Sequence, residues 1–183
     1  MKKLSDKLDI QAAMAARMKT SLWVSYLSLS KNNLQQAKKE EISWKRRKSI
    51  IATIVFSTAC LECFINEMAI ENLTNEWKSI ERLSLPDKWL ITIKLISKNK
   101  TFLRDSDIYK NLNWLREKRN TLIHYKAKWE ELSEKKRSTY IDEILSLKNA
   151  ERAFEIIKNS IKKFYKLAKL KPTNGVYSLG IIS

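Results

Sequence analysis

The stretch IIATIVFSTACLECFI, residues 50–65, decides the architecture. Ile50, Ile54, Leu61 and Ile65, with Met68 just beyond, recur at helical spacing, and apolar residues fill most of the remaining circumference. A helix that is apolar nearly all round belongs at the centre of a bundle. The pattern predicts one long helix from about Ser43 to Leu73 as the most buried element. Thr53, Ser57, Thr58 and Glu62 interrupt the run, which falls short of the roughly 18 uninterrupted apolar residues that mark a membrane span.

Working outward, the chain has 183 residues, 44% of them hydrophobic, enough for one domain with its own core. Only two Gly and two Pro occur, so long helices are expected and a many-stranded sheet is not. Both glycines, Gly175 and Gly180, lie near the C-terminus, which excludes a Gly-rich phosphate loop anywhere in residues 1–174 and with it P-loop and dinucleotide-binding readings. On the N-terminal side, Met14, Met18, Leu22, Tyr26 and Leu29 form a helical stripe within residues 5–39, as one helix or two broken near Thr20 and Ser21. On the C-terminal side, residues 74–85 read as a polar connection with a short helix in NEWKSIERL, and Pro86 suits the first turn of a third helix, DKWLITIKLIS. KNKTFLRDSD is a loop, Asp105 or Ser106 caps a fourth helix over about 106–125, and 129–170 is helical with a split near Lys148 and Asn149. The expected fold class is all-α: an antiparallel bundle of four long helices plus short extras, one domain over 1–170, and a tail over 171–183 that extends or docks on a neighbour.

Lys and Arg number 36 against 20 Asp and Glu, a net charge of +16 that favours a polyanionic partner. The densest stretch is KNSIKKFYKLAKLK, residues 158–171. Within it IKKFYKLAKL has the form of a basic helix for an anionic membrane surface, but Ile161, Phe164, Tyr165 and Leu167 more commonly pack into a bundle at that spacing. The N-terminal MKKLSDKLDIQ starts basic without an apolar h-region, so a soluble cytoplasmic protein is expected. Cys60 and Cys63 form a lone CxxC inside the central helix. With one histidine in the chain they cannot complete a four-ligand zinc site, and they read as packing thiols. Glu40-Glu41 and Glu130-Glu131 read as solvated surface pairs, since adjacent helical residues do not converge on one ion. No Gly-x-Ser-x-Gly elbow occurs.

The fourth helix carries the anomaly. On an ideal wheel with Ile108 at zero, Leu112 falls at about +40°, Leu115 at about −20°, Leu122 at about −40° and Arg119 at about +20°. A guanidinium in the middle of an apolar face requires an anion, a carboxylate or a cleft. The only histidine, His124, is five residues on and about 140° away on a continuous helix, so it shares a cleft with Arg119 only if the helix ends near Ile123, or faces a partner subunit instead. Thr58, Glu62 and Asn66, at i, i+4, i+8, make a polar stripe on the central helix that offers Arg119 an anionic neighbour. The competing account has Arg119 paired to a buried acid and His124 as a helix-end residue.

RNTLIH, within WLREKRNTLIHY, resembles the R-x4-H signature of HEPN-domain ribonucleases, and FSTACLECFINEMAI resembles that family's second helix. The resemblance covers roughly residues 45–165. It implies an all-α bundle that dimerises and cleaves RNA without a metal or other cofactor, as a toxin or phage-defence effector with a possible antitoxin partner. It makes Arg119 and His124 catalytic, with Asn120 the polar residue after the arginine and Glu62, Asn66 and Tyr125 in support. In subfamilies inactivated by nucleotidylation, a tyrosine stands two residues after the histidine; here that position is Lys126, and Tyr125 follows His124 directly. The chemistry suits the residue types: RNA cleavage by the 2′-OH needs a base, an acid and a cation for the phosphorane, and histidine and arginine serve these needs. One histidine does not perform both proton transfers in one step, so a two-fold dimer with two Arg119/His124 pairs across one groove is expected. The alternative is a non-catalytic module of the same fold that holds RNA or a protein partner through its basic surface.

Overall fold

A computed structural model describes residues 21–73, 76–97, 103–126, 139–172, 176 and 180–181. Among these residues the chain is helical, without strands: α1 (Leu22–Lys39), α2 (Ser43–Asn72), α3 (Trp77–Ile80), α4 (Leu85–Ser97), α5 (Asp107–Ile123), α6 (Tyr140–Ile144) and α7 (Leu147–Ala168). Five of these have thirteen residues or more, where four long helices were expected. Met14 and Met18, the loop residues 98–102, the Glu130-Glu131 pair and most of the tail lie outside the described residues.

The central helix is where the apolar pattern put it. α2 packs against α1, α4, α5 and α7, and Ile50, Ile54, Leu61 and Ile65 are all buried. One 18-residue window of α2 is long and apolar enough to cross a membrane by composition, with a mean hydropathy of 1.7; 56% of it is buried against the other helices. α1 approaches α2 through small residues: the Ser30 and Ser57 hydroxyls share a 2.8 Å hydrogen bond, and Ala37 is fully buried. The centre of the core is Phe64. Its ring stacks on Trp89 of α4 at 5.6 Å and meets Trp23 of α1 and Phe164 and Tyr165 of α7 edge-on at 5.2–5.9 Å. Such offset and edge-to-face contacts add to the area buried. The Trp89 indole N–H donates to the Leu61 carbonyl at 3.3 Å, so its one polar atom is satisfied.

α7 buries Ala150, Ala153, Ile157, Ile161, Phe164 and Ala168 on one face, the 3.6-residue period of an amphipathic helix. The apolar face of IKKFYKLAKL thus lies in the core, with Ile161, Phe164 and Tyr165 buried and Leu167 packed against them. The helix ends on Lys169 in the left-handed conformation, φ 55°. The break before α7 falls at Leu145–Ser146, two to three residues earlier than expected, because the Ser146 hydroxyl accepts from the Asn149 N–H and caps the helix. α6 opens with a capping box in which Thr139 and Asp142 satisfy each other's backbone N–H groups. In the tail, Val176 and Ile181 are buried in the same core.

α4 and α5 meet through Asp87. Its carboxylate accepts from the Ser84 hydroxyl at 2.6 Å, the Tyr109 phenol at 2.9 Å and Arg104 at 3.2 Å. The Ser84 hydrogen bond, aided by Tyr109 and Arg104, holds this carboxyl below its usual 3.8 against the opposing effect of burial. A depressed folded-state value means the ionised form stabilises the fold. That contribution is complete above about pH 5 and is lost as pH falls through the lower folded value. Asp87→Asn is therefore expected to lower the urea midpoint at pH 7 and to flatten its decline between pH 4 and pH 2. An unchanged acid profile in urea titrations would remove Asp87 from the account.

A candidate arginine-lined anion cleft

α5 is capped by Ser106, whose hydroxyl accepts from the Tyr109 N–H at 3.4 Å, and its buried stripe is Leu112 and Leu115, both fully buried. Arg119 continues that stripe one turn on, and Leu122 beyond it still packs against the core. Arg119 itself is half-buried and lines an open cleft of about 350 Å³. Thr58 and Glu62 of α2, Arg82, Leu83 and Ser84 of the turn between α3 and α4, and Arg116 and Asn120 of α5 complete most of the wall. Arg119, at an apolar position on the wheel, thus meets a cleft and not a buried acid. Its Nη1 donates to the Asn120 side-chain oxygen at 2.9 Å, which orients the guanidinium from the next residue.

Glu62 has a different partner from the one its spacing suggested. Lys88, on α4 and only 4% exposed, donates to Glu62 at 3.2 Å and to the Asn66 side-chain oxygen at 3.3 Å. Its ammonium also lies 5.9 Å from the Trp77 ring centre. The Glu62 carboxylate is held by Lys88 and not by Arg119, although both acid and arginine line the cleft. Of the polar stripe, Thr58 and Glu62 reach the cleft, and Asn66 does not line it but accepts from Lys88. The correction has a simple cause: spacing along α2 gives the face, but the partner cation comes from another helix.

α5 does end at Ile123, as sharing one cleft required. His124 is its C-cap residue, with φ −106° and ψ 23°, and its N–H donates to the Asn120 carbonyl at 2.9 Å. The imidazole is nevertheless exposed and is not part of the wall around Arg119. Ile123 and Tyr125, on either side, are 48% and 43% exposed. Within one chain the structure brings together Arg119, Asn120 and Glu62, and leaves His124 and Tyr125 on the adjoining surface.

Three residues that shape this region were not singled out from the sequence: Arg82 and Arg116, which line the cleft, and Lys88, which holds Glu62. The wheel contains the signal for two of them. Lys88 lies about 40° from Thr92 and 60° from Leu85 on the inward side of α4, and Arg116 sits at about +80° on α5, at the border of its apolar face. Arg82 belongs to a turn and has no periodicity to read. Cys60 and Cys63 are free. Burial pushes both thiols up, and the Glu62 and Glu67 carboxylates push Cys63 further, which keeps them protonated and unreactive as packing groups.

Lys88 stabilises this wall by neutralising Glu62 with very little of its own surface wet. Lys88→Met keeps the stem and removes the charge. Because the Glu62 side chain is 43% exposed it rehydrates, so the cost is moderated to about 1–2 kcal/mol, below the loss from breaking a fully buried pair. Denaturant unfolding checks this, and a variant as stable as the parent would show that the pair contributes nothing.

The fold and this wall define an all-α protein with an arginine-lined cleft. Comparison with family models, with curated proteins and with solved structures gives no match to the chain.

Proposed function

We propose that the chain is a cytoplasmic, metal-independent endoribonuclease of the HEPN type, cleaving RNA by 2′-OH attack at a site completed by dimerisation. The observation that carries this reading is the termination of α5. Arg119 lines a cationic cleft, and the helix stops four residues later with His124 on its cap. The exposed Ile123 and Tyr125 supply apolar surface beside His124 for a second copy to cover. In the proposed reaction one His124 imidazole takes the 2′-OH proton as the 2′-oxygen attacks phosphorus. Arg119 balances the charge that builds on the phosphorane. The second subunit's His124 protonates the departing 5′-oxygen, leaving a 2′,3′-cyclic phosphate and a 5′-hydroxyl. The resemblance of RNTLIH implies a toxin or phage-defence setting, with an antitoxin protein as a possible partner. Light scattering at micromolar concentration tests the composite site: twice the 21.5 kDa chain mass is expected, and a monomer contradicts it.

A second reading, a non-catalytic RNA-binding module of the same fold, is favoured by one observation: His124 is outside the cleft wall of its own chain. It differs in outcome, since RNA would bind with a steep salt dependence and remain intact.

A further inference from the structure

We infer that the cleft is a phosphodiester-binding groove in which Arg82 and Arg116 hold the backbone of a single RNA strand beside the phosphate met by Arg119. The inference rests on the ribonuclease reading for the identity of the strand, and on the cleft itself for the chemistry. Three arginines line the wall and none makes an ion pair among the described residues. Among the described residues the one carboxylate in the wall is Glu62, which Lys88 neutralises at 3.2 Å. The nearby Asp87 is engaged by Ser84, Tyr109 and Arg104. The cleft therefore presents three uncompensated guanidinium charges.

Arg116 gives the sharper sign. Its Nε is buried from water and has no hydrogen-bond partner among the described residues. That orphaned donor marks a guanidinium whose partners the fold does not supply, and the part of Arg116 that lines the cleft is a match for an oxyanion. Arg116 and Arg119 are one turn apart on α5, and so are neighbours on its surface, while Arg82 lines the same cleft from the α3–α4 turn. Donors from two separate elements along one open cleft suit consecutive phosphates of a strand. The hydroxyls of Thr58 and Ser84 and the Asn120 amide add neutral hydrogen-bonding groups, and among the described residues of the wall only Leu83 and Leu85 are apolar. The volume, about 350 Å³, is at the small end of the roughly 300–1,000 Å³ of ligand sites and too small for a folded partner to enter.

The test uses the full chain and a fluorescein-labelled single-stranded RNA, 2′-O-methylated throughout so that it cannot be cleaved, with anisotropy read over a series of KCl concentrations. Arg82→Gln and Arg116→Gln are each expected to weaken binding about tenfold, the effect of losing a charged hydrogen bond. Each should also reduce the slope of log K against log salt by about 0.7. Lys163→Gln, an exposed lysine of α7 away from the cleft wall, serves as the control and should change affinity far less. Equal losses in all three variants would mean a diffuse basic surface and overturn the inference, as would wild-type affinity and slope in both arginine variants. If Arg116→Gln fails to fold, the exposed Arg82 carries the test alone. Inorganic phosphate is titrated as competitor: displacement no stronger than that by chloride at equal ionic strength is expected, and tight displacement would assign the site to free phosphate instead. The two readings fail separately. A strand held by Arg82 and Arg116 but never cleaved in its 2′-OH form ends the ribonuclease reading and leaves this one standing. Normal cleavage with binding indifferent to both arginines does the reverse.

Discussion

Alanine at His124 or at Arg119 is expected to reduce cleavage of single-stranded RNA by about 10²–10⁴-fold, with helicity and dimer mass unchanged. The size follows from the roles. A positioned general acid–base contributes about 10²–10⁴-fold, and removing one donor to a developing oxyanion costs about 10²–10³-fold. In a two-fold site each substitution is made twice, so a His124→Ala dimer lacks both proton-transfer groups. Neither residue belongs to the core: His124 is exposed and Arg119 lines an open cleft, so loss of activity with intact circular dichroism separates chemistry from folding. Asn120→Ala should act more weakly, because it removes only the 2.9 Å hydrogen bond that orients Arg119. Full activity in the His124 variant ends the catalytic account.

The largest stability effect is expected at Phe64. Its ring is fully buried and touches aromatic rings from α1, α4 and α7, so one truncation opens a cavity where four helices meet. Phe64→Ala should cost about 3–5 kcal/mol, the usual loss for a large aromatic in a core that cannot collapse. In a chain of this size that lowers the melting temperature by roughly ten degrees. Phe64→Leu should recover a good part of it, because most of the volume returns. A loss under about 1 kcal/mol in urea unfolding would mean that the cluster is not the centre of the core.

Much of the fold was legible because it depends on local periodicity. The all-round apolar character of residues 50–65 identified α2 as the central helix, and few Gly and Pro implied long helices. Pro86 marked the start of α4. The site was legible only where it obeyed the same periodicity. Arg119 is conspicuous because a leucine would fit its place in the Leu112–Leu115 stripe, and it proved to sit at a cleft. The pairing of Glu62 was not legible: its cation, Lys88, lies 26 residues away on another helix, and only the packing of α4 on α2 brings them to 3.2 Å. Arg82 gave no signal, since a turn residue has no face. His124 remained divided between cleft and surface because its position depends on how the chain leaves α5; the helix stops at Ile123, yet His124 is exposed and does not line the Arg119 cleft.

The most direct measurement compares two labelled oligonucleotides in EDTA with the purified wild-type chain: a single-stranded RNA, and the same sequence with 2′-deoxyribose throughout. The account expects the RNA to be cut to fragments ending in 2′,3′-cyclic phosphate while the deoxy strand stays whole. Cleavage of the deoxy strand, cleavage only when Mg²⁺ is restored, or an RNA left intact would contradict it.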